Sequence, residues 1–246
     1  MVHPSPERAP SALDGVLRRA GAIYAQRQGQ SVAVSYGSPA GELAACVAAA
    51  GIADSSHLTK LEVRGSAGRL AELIRHVTDG TLAPGGLLHA AGAWWCGAGG
   101  ASSPLSPERV IVISGPEAGG RLCELLGARA ARTPGLAVQD RSQDWAAITI
   151  IGTATPDILE SLGVFGPDVD PLKVAPFTSA ELADVEALWL LKSEHRALAL
   201  VPSGAAIGAW HAIERAGRAW RICCVGQDAI ARFELLQRCA AIAEPA

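Results

Sequence analysis

One short pattern occurs twice in this chain of 246 residues. Asp54-Ser55-Ser56 leads through His57 into the alternating stretch 60–64 (KLEVR), then Gly65, then a run with helical spacing over residues 67–77. Asp140-Arg141-Ser142 leads into residues 146–151 (AAITII), then Gly152, then a helical run over 155–162, with one extra residue in this second copy. Alternation with period two marks a strand, and apolar spacing of three or four marks a helix. A strand–helix unit of this length cannot bury its own apolar face, so two copies are expected to pack as similar halves. Strands and helices alternate along the chain, and many connections are hairpin-like. The predicted class is therefore α+β.

The rest of the chain fits that frame. Residues 1–10 read as a loose arm, and Ser11 caps a short helix. Residues 31–36 (SVAVSY) read as a strand and 41–50 as a helix that Gly51 ends. A stretch rich in Gly, Ala, Ser and Pro follows over 78–108 and reads as a long loop, the kind that is functional or disordered inside a compact domain. Residues 110–114 (VIVIS) read as a buried strand and 115–126 as a helix. Further strands are expected at 187–190 and 197–201, and helices at 202–216 and 225–238. The expected divisions are an arm over 1–30, a first half over 31–132 and a second over 133–240.

Composition removes whole classes of function. Hydrophobic residues make up 49% and charged residues 18%, which describes a globular chain. The net charge of -3 offers no basic surplus for nucleic acid or an anionic membrane. No apolar run reaches the roughly 18 to 20 residues of a membrane span. The N-terminus, MVHPSPERAP, is polar and proline-rich rather than a signal sequence. The six cysteines form no C-x-x-C pair, so they read as reduced thiols of a cytoplasmic protein with no metal site.

Tyr36-Gly37-Ser38, Glu42, Ala44, Ala50-Gly51, Asp54, Ser56-His57, Thr59 and Arg64-Gly65-Ser66 form a first block that resembles the N-terminal segment of the glycine-cleavage T-protein (aminomethyltransferase) family. Gly86-x-Leu88 is similar to that family's G-M-L-N turn, and Ser193-Glu194 through Val201-Pro202 to its T-G-Y-T-G-E…P segment. Cys223-x-x-Gly226 and Arg232-x-Glu234 fall on its last conserved block at matching spacing. The resemblance implies a folate-binding fold of duplicated strand–helix halves, here without the family's C-terminal barrel. It implies tetrahydrofolate as cofactor, a small-molecule one-carbon donor and acceptor, and partner subunits or a homo-oligomer.

The resemblance also names candidate site residues. Glu194 falls where the family holds the pterin edge, whose adjacent N–H and NH2 suit a carboxylate. Arg232 falls near an arginine that pairs with folate-tail carboxylates; its alternative is a helix-surface pair with Asp228 or Glu234. The family's catalytic aspartate is missing, and Cys96 and Gly97 stand in its place. Cys96 would need a cationic neighbour to act as a thiolate. His89 takes the place of the turn's asparagine and is the remaining acid–base candidate. In Trp94-Trp95-Cys96, Trp94 could wall a pterin, or the pair could plug the long loop into the core. His57 reads as a hydrogen-bonded core histidine.

Three functions follow as expectations. The first is a divergent tetrahydrofolate-dependent one-carbon transferase using His89 and Cys96, with Glu194, Arg232 and Trp94 at the cofactor. The second is a non-catalytic subunit, because the chain also resembles the small gamma subunit of heterotetrameric sarcosine oxidase. The third is a folate-dependent iron–sulfur-support protein, from the likeness of Cys223-Cys224-Val225-Gly226-Gln227 to K-G-C-Y-x-G-Q.

Overall fold

The structure is a computed structural model that describes residues 10–98, 108–166 and 174–243. Its two recurring segments meet at the centre. Each aspartate closes a turn on its own serine: Ser56 N–H donates to Asp54 at 2.9 Å, and Ser142 N–H to Asp140 at 2.8 Å. Each serine hydroxyl then accepts from the other segment's strand. Ala147 N–H donates to Ser56 Oγ at 3.0 Å, and Lys60 N–H donates to Ser142 Oγ at 2.9 Å. The neighbouring backbone repeats the exchange, with Ser55 N–H on Ala147 O and Arg141 N–H on Lys60 O, both at 2.8 Å.

From this centre two sheets extend. The N-terminal part contributes α1 (Asp14–Arg19), the hairpin β1 (Ile23–Arg27) and β2 (Gln30–Ser35), α2 (Pro39–Ala48), β3 (Gly51–Asp54), β4 (Thr59–Arg64) and α3 (Ala67–Thr78). It continues with β5 (Leu87–Ala90), β6 (Ala93–Ala98), β7 (Arg109–Ser114) and α4 (Pro116–Ala130). The C-terminal part contributes β8 (Ala137–Asp140), β9 (Trp145–Ile151), α5 (Thr155–Ser161), β10 (Phe177–Leu182), β11 (Val185–Ser193), β12 (Arg196–Pro202), α6 (Ala206–Ala216), β13 (Cys223–Cys224) and α7 (Gln227–Ala243). The sheets run β5-β6-β7-β4-β8 and β10-β11-β12-β9-β3-β13. The two orders correspond strand for strand through β8 and β3, and each sheet borrows one of those strands from the other part of the chain.

The sheets pack face to face with helices outside. Along β7, Val110 and Val112 join Leu70, Ile74, Leu122 and Leu126 of α3 and α4. The alternate residues Ile111 and Ile113 meet Leu188, Leu190, Leu198 and Leu200 of the other sheet. Along β12, Ala197, Ala199 and Val201 face Ile158, Trp210 and Ile213 of α5 and α6. Both faces of each central strand are therefore buried, which is why VIVIS and AAITII read as continuous apolar runs rather than alternating ones.

Several expectations change. The 78–108 stretch contains the β5–β6 hairpin, closed by Ala91 and Gly92 with φ of 53° and 71°. Two positive φ values define the tight turn that matches strand twist. Residues 99–107 of that stretch lie outside the described residues. Of the arm, residues 1–9 lie outside them too; residues 23–27 form β1, paired to β2. Gly51 begins β3, and Ala49 is the C-cap of α2. The division at 132/133 separates no independent sheets, since β3 and β8 cross it.

Candidate functional site

A cavity of about 460 Å³ opens where the layer between the sheets ends. The inner row of β11 runs Leu188, Leu190, Lys192, and that of β12 runs Leu200, Leu198, Arg196, so each ends in a cation at the cavity. Trp94 and His89 enter from the β5–β6 hairpin, Ser114 and Gly115 from the junction of β7 and α4. Phe233, Glu234, Gln237 and Arg238 of α7 close the remaining side.

The aromatic wall is a pair. The His89 and Trp94 rings sit 4.5 Å apart at 42°. Alternation along β6 separates the two tryptophans: Trp94 lines the cavity, and Trp95 is fully buried on the helix side, its indole N–H donating to Ala90 O at 3.1 Å. The wall and the plug expected of Trp94-Trp95 are thus two different residues.

The cations are unequally compensated. Arg196 forms an ion pair with Glu234, though its Nε is buried without a hydrogen-bond partner. Burial lowers the Arg196 guanidinium to about 10. Lys192 Nζ lies 5.6 Å from the centre of the Trp94 ring, a cation–π distance. Burial, and after it the charge of Arg196, lowers the Lys192 ammonium to about 7.

The other expected site residues stand elsewhere. Cys96 is fully buried between the sheets, and burial pushes its thiol well above the ordinary cysteine range. Lys192 opposes that shift without reversing it, so the Cys96 thiol keeps its proton in the layer between the sheets, against the thiolate that the expected role needs. Glu194 is exposed in the β11–β12 turn; from this hairpin the cavity is lined by Lys192, Ser193 and Arg196. Arg232 is exposed on α7 and outside the lining, and Arg238, about one and two-thirds turns on, is the α7 cation that reaches the cavity. The helix-surface pairs considered for Arg232 are replaced, because Asp228 pairs with Arg27 at 3.1 Å and Glu234 with Arg196.

His57 is half-buried, not core, and lines a second cavity of about 300 Å³ with Asp54, Ser56 and Ser142. Both serine hydroxyls there are committed to backbone N–H groups. All six cysteines are free, and no His/Cys/Asp/Glu cluster suited to a metal occurs among the described residues. No helix among them is long and apolar enough to cross a membrane.

Aminomethyltransferase T of the glycine cleavage system from Bartonella henselae superposes on this architecture with a TM-score of 0.71, over 89% of this chain and 59% of that one. The chain has the aminomethyltransferase fold. Sequence identity over the match is 17%, and the chain spans about three fifths of the length of that protein. A chain of heterotetrameric sarcosine oxidase from Corynebacterium sp. U-96, in complex with pyrrole 2-carboxylate, matches with a TM-score of 0.53 and 20% identity. That match covers 74% of this chain and 92% of the other. No protein-family model and no curated protein sequence matches the chain. Within the aminomethyltransferase fold, then, the cavity is built here from Trp94, His89 and three cations.

Proposed function

We propose that the chain binds a reduced folate in the cavity between the sheets and works in one-carbon metabolism as a divergent transferase. The observation that carries this reading is the convergence of Trp94, His89, Lys192, Arg196 and Arg238 on one cavity of ligand size in this fold. The residues fit the ligand class. The Trp94 face suits a flat ring, and the surplus of cations suits a negatively charged molecule. When bound, tetrahydrofolate would supply N5 and N10, the two nitrogens that accept and carry a one-carbon unit. His89, beside Trp94 in the lining, is the imidazole placed to act as acid or base on a bound ligand. Glu194 would reach the pterin edge only from the turn beside Ser193, and Arg232 remains a contact for a ligand end that leaves the cavity.

The matching strand orders and the reciprocal serine contacts support descent from duplicated halves that exchange β3 and β8. A second reading, a partner-bound subunit, is supported by the sarcosine oxidase chain that this one covers almost completely. Cytoplasmic location follows only from the sequence reading.

Calorimetric titration of the reduced protein with tetrahydrofolate and 5,10-methylenetetrahydrofolate tests the proposal. Micromolar binding that Trp94→Ala weakens by about 1 to 3 kcal/mol, the range for losing a stacked aromatic wall, supports it. Absence of binding to either compound overturns it. Loss of one-carbon transfer in His89→Ala with binding retained separates the transferase from the subunit.

A further inference from the structure

The sequence contains three lysines, at 60, 173 and 192, against eighteen arginines. A chain that uses arginine almost everywhere else keeps a lysine at the end of the inner row of β11. The two are not equivalent there, because a buried ammonium can give up its proton and a guanidinium cannot. The groups that face Lys192 are Trp94 and Cys96 from β6, His89 from β5, Arg196 from β12, and Glu234 and Arg238 from α7. None of them is a free counter-ion. Glu234 is held by Arg196, and the Cys96 thiol keeps its proton. Among the described residues Lys192 makes no ion pair and no side-chain hydrogen bond. Lys192 is half-buried, and its partial burial together with the charge of Arg196 lowers the ammonium to about 7, so near neutral pH the amine sits at the edge of losing its proton.

We propose that Lys192 is a proton-coupled receptor for a carboxylate group of the ligand, seated between Lys192, Arg196 and Arg238. This deepens the reading above: it rests on the same cavity being the ligand site, but not on which ring fills it. The neutral amine takes one proton from solvent as the carboxylate arrives, giving an ammonium–carboxylate pair; no bond to carbon forms or breaks. The opposite charge then holds the proton on. Above about pH 7 the affinity falls by up to tenfold per pH unit, because each binding event must draw a proton; below it the affinity is level. The carboxylate can come from the glutamate tail of a folate or from a separate small aromatic acid, and the probes below distinguish them.

The full chain, reduced, is titrated at pH 6.5 and pH 8 with tetrahydrofolate, p-aminobenzoylglutamate and benzoate. Each titration is run in phosphate and in Tris, whose ionisation heats differ. The expected result is binding of at least one carboxylate probe with a buffer-dependent heat at pH 8, amounting to close to one proton taken up, and little at pH 6.5. Lys192→Arg should bind without uptake, and Lys192→Met at least tenfold more weakly. Binding at pH 8 with equal heats in both buffers overturns the proposal, as does wild-type affinity in Lys192→Met or failure of every probe. If Lys192→Met does not fold, the buffer comparison and Lys192→Arg still decide. Tetrahydrofolate binding without uptake overturns this inference and keeps the folate reading. Benzoate binding with uptake but no tetrahydrofolate binding does the reverse.

Discussion

Glu42 Oε2 accepts a hydrogen bond from the Gly226 N–H at 2.8 Å, tying the start of α2 to the start of α7. Its other oxygen accepts from Ser35 Oγ and the Tyr36 N–H, both at 2.7 Å. The stretch around Tyr36-Gly37-Ser38 and Glu42 is therefore a clamp that positions α7, and α7 in turn closes the cavity. Replacing Glu42 with Ala strands three donors, and the expected loss is about 2 to 4 kcal/mol of stability. Gly226→Ala should cost at least as much, because its Cβ would lie 2.1 Å from the Val34 carbonyl carbon and oxygen. Urea unfolding of both variants measures this; a midpoint within error of wild type for either would refute the clamp.

A second buried carboxylate holds the five-stranded sheet. Glu62, 1% exposed, meets Arg64 at 2.9 Å and Arg109 and Arg141 at 3.5 Å. The arginines come from β4, β7 and the turn after β8, so one charge gathers three segments. Glu62→Ala leaves three cations crowded together and should destabilise by about 3 kcal/mol. Half a molar sodium chloride should recover part of that loss, since the arginines are partly in water. Equal losses with and without salt would show that packing, not charge, carries the effect.

Lys192 predicts a pH dependence of stability with a definite sign. Its folded-state value is about 7, against 10.5 for an ordinary lysine. Below pH 7 both states are charged and the burial cost is fully present. From pH 7 to 10.5 the unfolded chain binds the proton and the folded one does not, so this group's contribution rises with pH. The stability of the wild type minus that of Lys192→Met should therefore climb across that window and level off above it. Unfolding curves for both proteins at pH 6.5, 8 and 9.5 provide the measurement, and a flat difference would place Lys192 in water.

Thiol reactivity should sort by burial. Cys239 is exposed, whereas Cys46 and Cys96 are fully buried, with burial raising both thiols. Alkylation of the native protein at pH 7.5 followed by mass spectrometry should mark Cys239 within minutes and Cys96 only after denaturant is added. Modification of Cys96 as fast as Cys239 would restore it as a candidate nucleophile.

The central part of this fold was legible because its signals are local. Asp-x-Ser closes a turn on itself, and β7, β9 and β12 are apolar runs whatever surrounds them. The β5–β6 hairpin was hidden because Ala91-Gly92 lies in a stretch so rich in Gly and Ala that no turn stands out. The site was half legible. His89 and Trp94 line the cavity, but Lys192 and Arg196 lie in a segment whose sequence alone carries no inward-facing signal. Only the inner rows of β11 and β12, which need the facing sheet to be recognised, show that these cations point inward. The rarity of lysine was the one available clue to position 192. Cys96 misled because a chain position aligned to a lost acid says nothing of depth, and here the side chain falls on the sealed part of the layer.

The exchange of β3 and β8 has a consequence for synthesis. While the chain emerges from the ribosome, β4 has no partner on one edge until residues 137–140 are made, and β3 waits for β9. The N-terminal 132 residues alone present an open strand edge, the feature that invites wrong pairing. Neither sheet can be finished before the chain has passed its midpoint: the five-stranded sheet gains its last strand with Asp140 and the six-stranded sheet only with Cys224. Two separately expressed fragments divided between α4 and β8 would each carry the strand the other lacks, and should assemble into one molecule when mixed.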